Sequence, residues 1–170
     1  TRNTTYHLRV EARNAAGTRT AFLNIGATAT VANVPVDGGN PFPSVFVSSL
    51  TVSWASAGNP SWTLYEAVVS TSAALPIGAA GEVRVTTTNP ASALLTGLPA
   101  NTTGHLHVRA VNFNGVPSDW SSALGSTVTR IETPATVVFD EVTAGTITAS
   151  AYAPTPAFTN LDQGQSGVNV

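Results

Sequence analysis

The chain has 170 residues, 42% of them hydrophobic, a formal net charge of −2 and no cysteine. Only 9% of residues are charged, against about 25% in an average globular domain, and all seven basic residues are arginines. This composition supplies enough apolar surface for a packed core, offers no basic footprint for DNA or RNA, and excludes disulfides and thiolate chemistry. No apolar run approaches the roughly 18–20 residues that span a bilayer. Thr1 opens no signal peptide, so any export signal is expected outside these residues.

Short alternating runs separated by turn residues predict strands throughout. The first two are expected over 5–14 and near 19–30, joined by a turn at Ala15–Gly17. In "SLTVSW" (49–54), Leu50, Val52 and Trp54 share one face. "TLYEAVVS" (63–70) puts Tyr65, Ala67 and Val69 together, and "EVRVTT" (82–87) and "SALLTGL" (92–98) are shorter alternators. "GHLHVRAVN" (104–112) directs Leu106, Val108 and Ala110 inward, with His105, His107 and Arg109 outward. "SSALGSTVT" (121–129) supplies a last strand before Pro134. The stretches "DGGNPFP", "SAGNPS", "TTNP", "LPANT" and "NGVPSD" carry the turn residues between them. Strands at this spacing predict an all-β, two-sheet sandwich.

An internal repeat sets the expected organisation. "NTTYHLRVEARNAAG" (3–17) and "NTTGHLHVRAVNFNG" (101–115) match at nine of fifteen positions, 98 residues apart. "FDEVTAGTITAS" (139–150) parallels "FPSVFVSSLTVS" (42–53) at a spacing of 97. Residues 1–33 are therefore expected to be the C-terminal strands of one module, 34–130 a complete module, and 131–170 the N-terminal strands of another. Linkers at "VANVP" (31–35) and "RIETP" (130–134) would set reach through their prolines.

The middle stretch resembles the fibronectin type III family. The residues that carry the resemblance are Trp54, Tyr65, the corner Leu98 and Thr102, then Val108, Ala110 and Asn112, and finally Gly115, Ser118, Trp120 and Ser121. The resemblance implies an immunoglobulin-like Greek-key sandwich in tandem modules. Residues 1–30 carry the same corner with Tyr6 where the middle stretch has Gly104. In the third part, Ala151 falls where Trp54 would be. A tyrosine at the corner packs at the end of the core. Its loss is expected to destabilise by about 1–3 kcal/mol, so Gly104→Tyr is expected to raise the unfolding midpoint unless Trp62 or Phe113 fills the space.

Candidate chemistry is sparse. His105-x-His107 is the one metal-like spacing, but a site needs further ligands, and two solvent-facing strand residues are the expected reading. "GQSG" (164–167) is not a nucleophile elbow. "DGGNP" (37–41) leads into no helix, and Glu66, Glu82 and Asp119 lie in separate elements. No catalytic, metal or cofactor residue is assigned. Arg109 is expected to stack on Trp120 if the last loop folds back over the sheet. Trp62, in "GNPSWT" (58–63), either stacks on a sugar or caps the core. Trp62, Trp120 and Arg109 are thus the candidate ligand or partner contacts. Asn3 and Asn101 each open a formal N-glycosylation sequence at an expected exposed corner, or are polar turn residues that hydrogen-bond locally.

These features predict a non-catalytic structural or adhesive segment of a secreted or cell-surface protein, a stalk or filament whose partners are neighbouring modules or copies of the same chain. Glycans and other surface proteins are further candidate partners, and neither nucleic acid nor membrane insertion is expected. Strand donation between subunits is a variant of this reading; the simpler account places these residues in a longer polypeptide. The alternative is an accessory carbohydrate-binding or spacer module of an extracellular polysaccharide-degrading enzyme.

Overall fold

The computed structural model describes residues 1–75, 78, 81–88, 92–152 and 158–161. Eleven strands are formed among them and no helix, so none is long and apolar enough to cross a membrane. The strands are β1 (Thr5–Val10), β2 (Leu23–Ala29), β3 (Ser44–Val45), β4 (Ser49–Ser53), β5 (Leu64–Ser70), β6 (Val83–Thr87), β7 (Ser92–Thr96), β8 (Thr103–Val111), β9 (Gly125–Val128), β10 (Thr136–Val142) and β11 (Ile147–Tyr152). The expected runs all contain strands, most of them shorter by one to several residues. The stretch "GQSG" (164–167) lies outside the described residues.

Two sheets make a sandwich. One has the order β3-β4-β7 and the other β6-β5-β8-β9, both antiparallel. The chain passes between them from β4 to β5, from β6 to β7 and from β7 to β8, a Greek-key winding. Alternation drives the packing, because successive side chains on a strand point to opposite faces. Leu50, Val52, Trp54 and Leu95 from one sheet meet Tyr65, Ala67, Val69, Leu106, Val108 and Ala110 from the other, all buried. Trp54 and Tyr65 sit with ring centroids 5.7 Å apart.

Ala32 belongs to this core and Pro35 is fully buried. Val36 and Ala55 exchange backbone hydrogen bonds at 3.2 and 2.9 Å. The stretch expected to act as a linker, 31–35, is therefore built into the sandwich, because its small apolar residues fit the edge of the core.

β1 and β2 form an antiparallel hairpin ahead of the sandwich, and β10 and β11 form one after it. Leu8, Val10 and Ile25 on the first are exposed, as are Val137, Phe139, Val142 and Ile147 on the second. At the repeat spacing, Leu8 and Val10 correspond to Leu106 and Val108, and Phe139 and Ile147 to Phe42 and Leu50. In the sandwich these four positions pack in or against the core. The hairpins thus carry core-type faces that no second sheet covers among the described residues.

Gly104 is buried at one end of the sandwich. A Cβ there would lie 2.5 Å from Val69 Cγ1, well inside contact distance. Beside it is a small cavity of about 10 Å³, lined by Leu50, Val69, Leu98 and Pro99 among others. That is room for about one water, with few polar partners for it. Trp62 and Phe113 flank the opposite ends of β5 and β8, since Leu64 pairs with Val111 and Ser70 with His105. They do not fill the missing-tyrosine space; Val69 does. The expectation that Gly104→Tyr stabilises the sandwich is therefore reversed.

Candidate functional site

Two regions gather the residues that the sequence singles out: the outer face of the four-stranded sheet and the junctions with the two hairpins.

On the outer face, β8 and β5 place Arg109 opposite Glu66, and His107 opposite Val68. β6 adds Arg84 opposite Val68. The loop after β8 folds back along its edge. Ser118 and Ser121 take up the edge bonds with both backbone and hydroxyl: Ser121 N donates to Val108 O at 2.9 Å, Val108 N to Ser121 Oγ at 3.0 Å, and Ala110 N to Ser118 Oγ at 3.1 Å. This lays the Trp120 indole over the sheet, with the Arg109 guanidinium 4.6 Å and that of Arg84 5.5 Å from its ring. Arg109 Nε also donates to Glu66 Oε2 at 2.5 Å, and Arg84 to Glu82 Oε2 at 2.8 Å. Arg84 and Arg109 stand at opposite corners of the patch that contains Val68 and His107, so the indole that touches both roofs that patch.

His107 is consequently 0% exposed, which corrects the expectation that it faces solvent; His105 is half-buried. Nδ1 of His107 lies 3.1 Å from Ser121 O, and its Nε2 has no hydrogen-bond partner. Among the described residues no three His, Cys, Asp or Glu side chains gather as metal ligands. Trp120 and Arg109 are occupied with each other and with the sheet. The indole and guanidinium groups stiffen the face, each such contact contributing about 0.5–1 kcal/mol at an exposed position.

Trp62 is 62% exposed and stacks on Phe113, ring centroids 6.2 Å apart and planes inclined by 20°. It does not cap the core. The aromatic pair flanks the junction between the first hairpin and the sandwich, and that junction is stitched by asparagines. Asn3 Nδ2 donates to Thr63 Oγ1 at 2.8 Å, and its Oδ1 accepts from Phe113 N at 2.9 Å. Asn112 Nδ2 donates to Ala29 O at 3.2 Å, and Ala29 N donates to Asn114 Oδ1 at 2.8 Å. Asn33 and Asn59 bond reciprocally: Asn33 N to Asn59 Oδ1 and Asn59 Nδ2 to Asn33 O, both at 2.8 Å. Gly58 completes the junction, with Arg2 packed so closely over it that a Cβ would lie 2.4 Å from the guanidinium.

The junction after the sandwich is smaller. Asn101 Nδ2 donates to Asn160 O at 2.6 Å, and Asn160 Nδ2 donates to Ala100 O at 2.9 Å and to Thr102 Oγ1 at 2.8 Å. Glu132, in the 130–134 stretch, accepts from the hydroxyl and the backbone N–H of Thr159. The hydrogen bond from Thr159 is the main reason that the Glu132 carboxyl lies below its ordinary pKa of 4.5.

The corner asparagines are thus not exposed. Asn3 is 1% and Asn101 7% exposed, so a glycan on either would require its junction to open. Their burial has no signature in a single sequence, because "Asn-Thr-Thr" reads equally as a solvated turn. Asn33, Asn59, Asn112 and Asn114 were likewise not distinguishable as junction residues. Their one shared signal is the density of asparagine near the ends of strands.

No family model matches the chain, and no curated protein matches it. Among solved structures, the chicken CNTN1 FN1-FN3 domains are similar at 25% identity, with a TM-score of 0.45. The match covers 76% of this chain and 44% of that one, so the chain spans less than half the length of this neighbour.

Proposed function

We propose that this chain is a non-catalytic structural segment of a secreted or cell-surface protein, a run of β-sandwich modules held in fixed relation to carry load or display neighbouring parts. The observation that supports this most is the asparagine junction. Two pairs of amide hydrogen bonds, those of Asn3 to Thr63 and Phe113 and those of Asn112 and Asn114 to Ala29, join the first hairpin to the sandwich. Buried or part-buried hydrogen bonds of this kind hold orientation because breaking one leaves an unsatisfied polar group. A chain built as beads on a string has no use for such bonding. The outer-face cluster fits the same role, since Trp120, Arg84 and Arg109 are spent on the protein's own surface. The partners in this reading are neighbouring modules, whose sheets would cover the apolar faces of the β1–β2 and β10–β11 hairpins.

Small-angle scattering from the 170-residue chain, across a concentration series, tests the reading. The expected result is one elongated particle with no change of shape. A flexible, multi-state profile would remove the load-bearing role, and growth of mass with concentration would show that copies of the chain cover one another's hairpins. A glycan array provides the contrast: a signal abolished by Trp62→Ala would replace the structural reading with carbohydrate binding.

A further inference from the structure

The two junctions use the same corner. Asn3 and Asn101 both adopt positive φ, 41° and 47°, a left-handed conformation that asparagine tolerates better than most residues. Asn3 N donates to Val31 O and Asn101 N to Arg130 O, each at 3.3 Å. Thr4 Oγ1 donates to Arg2 O and Thr102 Oγ1 to Ala100 O, each at 2.9 Å. Thr30 N reaches Thr4 O and Thr129 N reaches Thr102 O, each at 3.0 Å. The corner is one preformed device, presented twice.

Its target is also repeated. The Asn3 amide reaches Thr63, 60 residues ahead, and the Asn101 amide reaches Asn160, 59 residues ahead. Thr63 and Asn160 are 97 residues apart, the same spacing that relates 42–53 to 139–150. The acceptor differs, a side-chain hydroxyl in one case and a backbone carbonyl in the other, but the position does not. From this equivalence we infer that the first asparagine of each Asn-Thr-Thr corner is a module-recognition residue: its left-handed backbone aims the amide at Thr63, just ahead of β5, or at the repeat-equivalent position Asn160, and successive modules are thereby locked in one repeated relation. The partner that this corner fits is the corresponding loop of another module of the same kind. The inference rests on the modular reading and deepens it, because it names at each joint the residue whose loss should loosen it most.

The absence of cysteine makes the test direct. Spin labels on Ala21→Cys and Ser122→Cys report the first junction, and labels on Ser122→Cys and Ala144→Cys report the second, all at exposed positions. In the otherwise unsubstituted 170-residue chain each pair is expected to give one narrow distance peak. Asn3→Ala is expected to at least double the width at the first junction and leave the second unchanged; Asn101→Ala is expected to do the reverse. Thr63→Val removes the acceptor from the other side and should reproduce the broadening caused by Asn3→Ala. Hydrogen exchange at Leu106 and Val108 checks that the sandwich is intact, and where Asn3→Ala has lost that protection, Thr63→Val decides. Narrow peaks retained in both Asn3→Ala and Thr63→Val overturn the inference while leaving a rigid structural segment standing. Broad peaks in the unsubstituted chain overturn both.

Discussion

The corner at residues 3–17 and the corner at 101–115 share most of their sequence and their backbone bonds, yet they are finished differently. The first retains Tyr6, half-exposed, with its hydroxyl 2.7 Å from Thr1 Oγ1. The second has Gly104, over which Val69 has closed. On the outer face, Phe22 corresponds to Trp120 at the repeat spacing. Phe22 has one arginine, Arg9, 4.5 Å from its ring; Trp120 has two. The backbone of a repeat is fixed by its hydrogen bonds, whereas its packing is settled locally, by the neighbouring side chain that can reach the empty volume.

The largest expected effect separates the two outer faces. Trp120→Ala removes the roof over Val68 and His107 and should destabilise the sandwich by about 2–3 kcal/mol, somewhat less than loss of a fully buried aromatic. Phe22→Ala should change stability by no more than about 1 kcal/mol. Chemical denaturation of both variants measures the difference, and equal losses would break the comparison. The next effect separates the corners themselves. Gly104→Tyr should lower stability by about 1–3 kcal/mol through overpacking against Val69, while Tyr6→Gly should cost about 1 kcal/mol, chiefly from added backbone freedom. A rise in the unfolding midpoint on Gly104→Tyr would show that Val69 yields easily.

Alkaline titration probes the core end of the first junction. Tyr65 is buried beside Asn59 and Thr63, and burial raises its phenol pKa above the ordinary 10.0, with those two side chains opposing the shift. No hydrogen bond of ordinary geometry reaches the hydroxyl. A raised acid pKa stabilises the fold fully below the unfolded value, so stability should stay level up to about pH 10 and fall as pH rises further. Thermal melts across that range check the sign. The smallest effect distinguishes the junctions. Glu132 has a lowered pKa, so its contribution is present above pH 4.5 and lost as pH falls through the folded value. Acid should broaden the label distances at the second junction and leave the first, which is bonded through amides and hydroxyls, as it was.

Much of the sandwich was legible because alternation in 49–54, 63–70 and 104–112 assigns a face to each residue, and those faces are the ones buried. His107 was misplaced for a physical reason. Alternation describes one sheet and its core, and it has no information about a loop that returns to cover the other face. Val68 belongs to the same blind spot, being fully buried on the side that alternation gives to solvent. The stacking of Arg109 on Trp120 was foreseen only on condition that this loop folds back, and nothing in the sequence signalled the serine bonds that hold it there. The asparagines of the first junction were opaque because their partners are 26 to 110 residues away. Gly104 was visible as a departure, but which neighbour fills its space depends on the register between β5 and β8.

The composition of the first junction has a consequence for the medium in which the protein works. Ionic strength screens charged contacts over roughly 10 Å at 0.1 M salt, but it has little purchase on bonds among amides, hydroxyls and peptide groups. A joint bonded this way is expected to keep its angle in dilute and in briny solution alike.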